Sequence, residues 1–282
     1  MDKKIIGIDL GATNVRGGLV SENSILKLVA NRIRSNGSVQ DVLEDIYAVT
    51  DQLFDETVAA IGIGVPSVVN IDEGIVYDVQ HIPSWVEVPL KTHMEARYNV
   101  PVFVNNDANC FALGEYYFGK GKGAKDMIGL TIGTGLGAGI IINRHLYAGP
   151  NCGAGEFGMV GYLDQVHEYY CSGQFFKNVY QLDGETVFTQ AQQGYERALN
   201  LYAEMGMHLG NAIKTIMYTY DPSLIIFGGS VRFAYPYFQQ AMWERINTFA
   251  FTKTISRLKI KISELESSGI LGAAALFYDA EK

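Results

Sequence analysis

Two aspartates occupy positions at which a carboxylate could do chemistry. Asp107 ends a predicted polar turn, Asn105-Asn106-Asp107, which follows the apolar run 100–104 and precedes a helix predicted from Ala108. A carboxylate at such a strand-to-helix corner can orient an alcohol and accept its proton, as phosphoryl transfer requires. Asp9 lies inside the apolar segment 6–10, where a merely solvated charge is unfavourable because its neighbours are buried. These residues alone leave two alternatives open, a helix N-cap for Asp107 and an ion pair with Lys or Arg for Asp9.

A repeated glycine pattern indicates a second chemistry, the binding of phosphate. Residues 6–13 (IGIDLGAT) align without a gap on residues 128–135 (IGLTIGTG), and the alignment pairs Gly7 with Gly129, Gly11 with Gly133 and Gly17 with Gly139. Each copy is typical of a strand, a tight turn and a returning strand. We expect glycine in the turns because they need positive φ and because a ligand must approach bare backbone. Successive amide N–H groups there would bind phosphate oxygens, although two ordinary hairpins would have the same pattern.

Strands alternate with helices along the rest of the chain, which indicates an α/β architecture. Apolar residues at helical spacing predict a helix over 38–53 and a long one over 195–220, which Asp221-Pro222 ends. Buried strands are predicted over 59–65, 100–104 and 224–227. The last of these strands leads directly into Gly228-Gly229, another place where backbone could approach a ligand.

The composition excludes several classes of protein. The chain has 282 residues, 48% of them apolar and 18% charged, which is enough for two domains with sizeable cores. Its net charge of −8 and the lack of a dense Lys/Arg cluster disfavour a nucleic-acid surface. Three cysteines without CxC or CxxC spacing do not make a disulfide framework, and they fit a reducing compartment. No apolar stretch is long enough to span a bilayer, so we expect a cytoplasmic protein without a membrane partner.

The order of these motifs resembles that of the actin-like sugar-kinase superfamily and, more narrowly, the ROK family, which groups bacterial hexose kinases with sugar-responsive repressors. The motifs that carry the resemblance are Asp9-x-Gly11-x-Thr13, Asn106-Asp107, Gly133-x-Gly135-x-Gly137, Gly155-Glu156-Phe157-Gly158 and Asp221-Pro222 with Gly228-Gly229. The resemblance implies an α/β, two-lobed actin-like (ribonuclease H-like) ATPase fold with duplicated βββαβα-type lobes. It implies a smaller lobe of residues 1–113 plus 270–282 and a larger lobe of residues 114–269.

The resemblance also implies roles for individual residues. Asp107 resembles the base that accepts the proton of the sugar hydroxyl. Asp9 resembles the acid that helps to hold Mg²⁺ through water, and ATP is the expected phosphoryl donor. The implied sugar-binding residues are Ser67, Asn106, Asp107, Glu156 and Glu168. The implied nucleotide-binding residues are Asp9, Gly11, Ala12, Thr13, Asn14, Gly133, Thr134, Gly135, Gly228 and Gly229.

The sequence departs from the family where typical members bind structural zinc. Met159 stands where the family has a histidine that is both a zinc ligand and a sugar contact, and the cysteines that usually precede the residue matching Glu168 are missing. A tetrahedral zinc site cannot form without its ligands, so we predict no structural zinc. A replacement site made of His167, Cys152 and Cys171 fits no known metal spacing. Met159, together with Ser67 and His81 at the pocket rim, leaves the identity of the sugar open.

Three functions are compatible with the resemblance. The first is ATP-dependent phosphorylation of a hexose or N-acetylhexosamine at the 6-hydroxyl, as in a glucokinase or an N-acetylmannosamine or N-acetylglucosamine kinase. The second is a catalytically impaired, kinase-like sugar-binding or regulatory protein without a DNA-binding domain. A DNA-binding repressor is disfavoured because the first glycine hairpin opens at Ile5, almost at the first residue. Family analogy implies a homodimer and closure of the lobes on the sugar, which would exclude water.

Overall fold

The computed structural model describes residues 3–22 and 24–282. The strands are β1 (Lys4–Leu10), β2 (Asn14–Ser21), β3 (Ser24–Arg32), β4 (Val58–Val65), β5 (Val68–Asn70), β6 (Ile75–Tyr77), β7 (Glu87–Val88), β8 (Val102–Asn106), β9 (Met127–Ile132), β10 (Leu136–Ile142), β11 (His145–Leu146), β12 (Gly161–Tyr162), β13 (Gln165–Val166), β14 (Leu224–Gly228) and β15 (Lys259–Ile262). The helices are α1 (Val39–Thr50), α2 (Leu90–Tyr98), α3 (Asp107–Tyr117), α4 (His167–Cys171), α5 (Phe175–Tyr180), α6 (Gly184–Gln192), α7 (Glu196–Tyr220), α8 (Tyr235–Ile246), α9 (Thr252–Ile255) and α10 (Ser268–Ala280). Within this described part, no helix is both long and apolar enough to cross a membrane.

The chain divides into two compact units. The first unit contains Met1–Lys125, Gly139–Ala154 and Glu264–Lys282, and the second contains Asp126–Ala138 and Gly155–Ser263. The lobe boundaries expected from the sequence, 1–113 with 270–282 and 114–269, stay a prediction.

The strand order repeats, as the duplicated glycine pattern predicts. The first sheet has the order β3-β2-β1-β4-β8, and the second has the order β11-β10-β9-β14-β15. In the first sheet β1 is antiparallel to β2 and parallel to β4, while β4 is parallel to β8. In the second sheet β14 is parallel to both β9 and β15. The expected α/β architecture with a duplicated unit of topology is therefore confirmed.

The glycines inside the strands of the first unit serve helix packing. A Cβ on Gly62 of β4 would lie 1.8 Å from the carbonyl oxygen of Ala273, and a Cβ on Gly7 of β1 would lie 2.0 Å from that of Ile270. Both carbonyls belong to α10, so only glycine allows this helix to lie against the sheet. Gly17 and Gly139, which the sequence alignment pairs, are crowded in the same way. A Cβ on Gly17 would meet the side chains of Val49 in α1 and of Leu53 just after it, and a Cβ on Gly139 would meet the backbone of α3.

Most predicted elements occur close to their predicted bounds, and one differs at the functional corner. The helix expected over 38–53 is α1, whose N-cap Ser38 forms a capping box with Asp41. The predicted polar turn over Asn105-Asn106-Asp107 is wrong, because β8 continues through both asparagines. Pairing with β4 extends to Asn106 opposite Val65, which keeps these asparagines in the sheet. The following helix begins at Asp107.

Candidate active site

The first group of predicted site residues lies at the corner between β8 and α3. Asn106 is the N-cap of α3: its side-chain oxygen accepts a hydrogen bond from the amide of Ala108 at 2.9 Å. Asp107 is the first helical residue and is exposed, and its Oδ1 accepts from the same amide at 2.8 Å. The capping position therefore belongs to Asn106, which leaves the Asp107 carboxylate at the exposed start of the helix.

Asn105 fixes this corner, although no sequence motif marks it as a site residue. Its side chain is buried, and its Oδ1 accepts three hydrogen bonds: from the Asn106 amide at 2.8 Å, from Asn109 Nδ2 at 2.9 Å and from Cys152 Sγ at 3.2 Å. A buried carbonyl oxygen held by three donors has little freedom to move. The backbone that carries Asn106 and Asp107 is thus tied to α3 and to Cys152.

Ser67 contributes to the same corner through its backbone. Its carbonyl oxygen accepts a hydrogen bond from Asn106 Nδ2 at 3.2 Å, which orients the asparagine side chain. The Ser67 hydroxyl donates to the carbonyl of Tyr77. Because that bond uses the hydroxyl proton, Ser67 could contact a sugar through its Oγ only as an acceptor.

The first glycine turn joins β1 to β2. The Gly11 amide donates to the Asn14 carbonyl at 2.9 Å, and Thr13 and Asn14 are exposed. The prediction of positive φ in the turns is wrong, because Gly11, Gly133 and Gly135 all lie outside the left-handed region. Both turns close without it. A Cβ on Gly11 would lie 3.2 Å from the Asn14 carbonyl oxygen and one on Gly135 would lie 2.6 Å from Glu168 Oε2, whereas one on Gly133 would meet no atom within 4 Å.

Asp9 lies partly buried in β1, opposite Arg16 of β2. A Cβ on Gly269 would lie 2.9 Å from Asp9 Cγ, so the carboxylate packs against the first turn of α10. Burial raises the pKa of Asp9, and the positive charge of Arg16 acts in the opposite direction. A buried acid of this kind gains from a nearby cation, and carboxylate oxygen is a ligand type that Mg²⁺ prefers, so the residue fits the role expected from the sequence.

The second glycine turn joins β9 to β10 in the second unit. The Gly133 amide donates to the Gly135 carbonyl at 3.0 Å, and a Cβ added to Gly133 would have no atom within 4 Å. Two residues beyond α4 hold the turn from outside. The Gly173 amide donates to the Gly133 carbonyl at 2.7 Å, and Gln174 Nε2 donates to the Thr134 carbonyl at 3.1 Å. The turn is therefore fixed on one side and open on the other.

The two predicted sugar-binding glutamates differ in their contacts. Glu168 lies in the first turn of α4, and its Oε2 accepts a hydrogen bond from the Leu136 amide at 2.9 Å. Glu156 is exposed and precedes a short 3-10 helix over Phe157–Met159. Partial desolvation raises the pKa of Glu156, and the charge of Glu168 raises it further, so the two carboxylates act on each other through space.

A cavity of about 440 Å³ adjoins the second glycine turn. Gly133 and Thr134 line one side, and residues 230–231 and 233–234, just after Gly229, line another. Gly229 itself has φ +74°, and a Cβ there would lie 2.3 Å from the Ile132 carbonyl oxygen, so glycine is required at this position. The remaining lining residues were not predicted from the sequence, and they are glycine, aromatic or polar: Gly173, Gln174, Phe176, Asp183, Gly184, Glu185, Phe188 and Tyr202.

Aromatic rings surround the segment in which typical relatives bind zinc. His167 is buried and stacks on Tyr162 with ring centroids 4.5 Å apart, and Tyr162 Oη lies 3.0 Å from His208 Nδ1. Met159 is 61% exposed. Within residues 3–22 and 24–282, no group of three or more His, Cys, Asp or Glu side chains is arranged to hold a metal ion. The absence of structural zinc stays a prediction for metal analysis.

Comparison with known proteins identifies the family and the fold of the chain. A glucokinase of Thermotoga maritima is 29% identical over 97% of this chain and 96% of its own length. The crystal structure of a ROK family glucokinase from Streptomyces griseus with glucose and AMPPNP has a TM-score of 0.81 at 27% identity, covering 97% of this chain and 98% of that one. The xylose repressor of Bacillus subtilis is 27% identical over 97% of this chain and 77% of its own length. The structural likeness confirms the predicted actin-like ATPase fold. Because the family model described as "ROK family" matches residues 5–280, this chain belongs to the ROK family.

Proposed function

We propose that the protein is an ATP-dependent sugar kinase that phosphorylates the 6-hydroxyl of a hexose or N-acetylhexosamine. The proposal depends on the structure around Asp107, at the corner between β8 and α3. The carboxylate is exposed at the first residue of α3, while Asn105 and Asn106 hold the backbone beneath it. A base for phosphoryl transfer needs this combination of a fixed backbone and an accessible oxygen. The glucokinase relatives support the same reaction class.

Five of the predicted residues contact the sugar in this proposal. Asn106 and Asp107 bind the sugar, and Asp107 accepts the proton of the attacking hydroxyl. Glu156 and Glu168 accept hydrogen bonds from other sugar hydroxyls, a use of carboxylates that gives strong, charge-assisted bonds. Ser67 adds a weaker contact at the rim.

The second glycine turn and its cavity bind the nucleotide in this proposal. The open side of the turn offers the bare backbone at Gly133 to phosphate oxygens. The cavity is lined by several aromatic rings, which suit a nucleobase, and by Asp183 and Glu185, whose oxygens suit ribose hydroxyls. The first turn, at Gly11–Asn14, binds the terminal phosphates. Asp9 would hold Mg²⁺ through water, and the bound ion would neutralise phosphate charge.

A turnover assay with a panel of sugars tests the proposal. ADP release is measured with Mg·ATP and glucose, mannose, N-acetylglucosamine, N-acetylmannosamine or xylose. With the best substrate, Asp107→Asn should lower kcat by about 10²- to 10⁴-fold because the base is lost. Sugar affinity measured by calorimetry should stay within about threefold, since the amide keeps the shape and one acceptor oxygen. Asp72→Asn, a change at an exposed turn, is the matched control. A kcat for Asp107→Asn within tenfold of the parent value would refute the catalytic role.

A second function has a specific observation in its favour. Met159 is 61% exposed and offers no hydrogen-bond donor at a position where typical members have an imidazole. A sugar-binding regulatory protein that has lost turnover would tolerate this change, and the family includes repressors such as the relative from Bacillus subtilis. Calorimetric binding of one of the five sugars without any ADP release above background would favour this function over the kinase.

A further inference from the structure

Glu168 connects two regions that the proposed function uses separately. Its Oε2 accepts a hydrogen bond from the Leu136 amide at 2.9 Å, directly after the second glycine turn. The same carboxylate is the one expected to bind sugar. A hydrogen bond from a backbone amide to a carboxylate is charge-assisted and among the stronger ones in proteins.

The chain that follows Glu168 contacts the rest of the turn. Glu168 is the second residue of the short helix α4, and the backbone amide of Gly173 and the side chain of Gln174 then donate to the carbonyls of Gly133 and Thr134. A Cβ on Gly173 would lie 2.8 Å from the Gly133 carbonyl oxygen, so this approach requires glycine. Residues 168–174 therefore hold the turn at both ends and at its middle.

The glycine at position 135 is explained by the same carboxylate. A Cβ there would lie 2.6 Å from Glu168 Oε2, well inside van der Waals contact, whereas a Cβ on Gly133 would meet no atom within 4 Å. Gly135 thus makes room for Glu168, and Gly133 leaves room on the open side of the turn. The second glycine of the Gly-x-Gly pattern serves the protein's own carboxylate.

We propose that Glu168 is a positioning residue for the nucleotide: one carboxylate oxygen holds the phosphate-binding turn while the other, Oε1, takes a sugar hydroxyl. The proposal rests on the proposed function. A sugar bound to Oε1 restrains the carboxylate and therefore the turn, so sugar and nucleotide affinities become coupled, and coupling is reciprocal. The kinase would then bind ATP best when a sugar is already present.

Calorimetry with a non-hydrolysable ATP analogue and Mg²⁺ tests the proposal, with and without saturating sugar. In Glu168→Ala the analogue should bind about tenfold more weakly without sugar, and sugar should no longer change its affinity. Glu156→Ala is the matched control: it removes a sugar contact next to Glu168 but none of the bonds to the turn, so analogue affinity without sugar should stay within twofold. Glu168→Gln should recover most of the analogue affinity, because its amide oxygen can still accept from Leu136.

Amide hydrogen exchange separates this role from simple loss of structure. Exchange at Leu136 should accelerate in Glu168→Ala and stay slow in Glu168→Gln and Glu156→Ala. If Glu168→Ala weakens only sugar binding and leaves analogue affinity and Leu136 exchange unchanged, Glu168 is a sugar ligand alone and the proposal is wrong. If the parent protein binds neither sugar nor analogue, the proposed function is wrong. Even then, unchanged Leu136 exchange in Glu168→Ala would by itself refute the role of Glu168 in holding the turn.

Discussion

A substitution on the open side of the second glycine turn should weaken nucleotide binding without destabilising the fold. An alanine methyl at position 133 would meet no protein atom within 4 Å, and the residue lies outside the left-handed φ region. Gly133→Ala should therefore fold normally, and restriction of the unfolded chain should stabilise it by about 0.4–1 kcal/mol. If phosphate oxygens approach this backbone, the added methyl group enters occupied space. Overpacking of one methyl costs about 1–3 kcal/mol, which corresponds to about 5- to 150-fold in nucleotide Kd.

The measurement pairs urea unfolding with calorimetric titration of the ATP analogue and of the sugar. Gly133→Ala should keep or raise the free energy of unfolding, keep the sugar affinity and weaken the analogue. Gly135→Ala is the contrasting variant, because its methyl would lie 2.6 Å from the Glu168 carboxylate and should disturb sugar and analogue binding together. Unchanged analogue affinity in Gly133→Ala would refute the assignment of this turn to phosphate.

Three further predictions follow, one from packing and two from charge. In urea titrations, Gly62→Ala should lower the free energy of unfolding by more than about 3 kcal/mol, because its Cβ would lie 1.8 Å from the Ala273 carbonyl oxygen. Gly153→Ala is the control: its Cβ would have no atom within 4 Å, so the free energy of unfolding should change by less than about 1 kcal/mol. The raised pKa of Glu156 means that its ionised form is lost at a higher pH than for an ordinary glutamate as the solution is acidified. The sugar KM should therefore rise as pH falls through that raised pKa, Glu156→Gln should flatten this rise in a pH series, and a parent profile without the rise would contradict the role of Glu156. Because the ionised form is disfavoured in the folded protein, Glu156→Gln should also raise the melting temperature slightly at neutral pH.

The duplicated architecture could be predicted from the sequence because its signal is local and repeated. The gapless match of residues 6–13 to 128–135 indicates two equivalent hairpins, and the two sheets do have equivalent strand orders. The reason for the glycines could not be predicted in the same way. Gly7 and Gly62 are crowded by the backbone of α10, which is more than 200 residues away along the chain. Periodicity within a strand carries no information about such a distant neighbour.

The residues of the candidate site also fall into two groups, those that short sequence motifs predict and those that only the fold reveals. Asp107 and the glycine turns lie in short motifs, so they can be predicted from the sequence. The groups that hold them in place lie in no such motif. Cys152 donates to Asn105 from 47 residues away, and Glu168 accepts from Leu136 across 32 residues. Neither a cysteine nor an asparagine is distinctive in a sequence, and only the fold brings Cys152 and Asn105 together at the corner before Asp107.

The position of Glu168 is set by packing among rings and not by its own short helix. His167, the preceding residue, stacks on Tyr162, and its Nε2 lies 3.3 Å from Thr215 Oγ1 of α7. Burial and the nearby His208 lower the pKa of His167, so its ring is neutral at pH 7 and can remain in this apolar contact. The stacked, neutral imidazole, in contact with Thr215 of α7, therefore restrains the backbone of α4 next to Glu168. The loss of the family's zinc ligands is therefore compatible with a fixed Glu168, because side-chain packing supplies the restraint that coordination would otherwise provide.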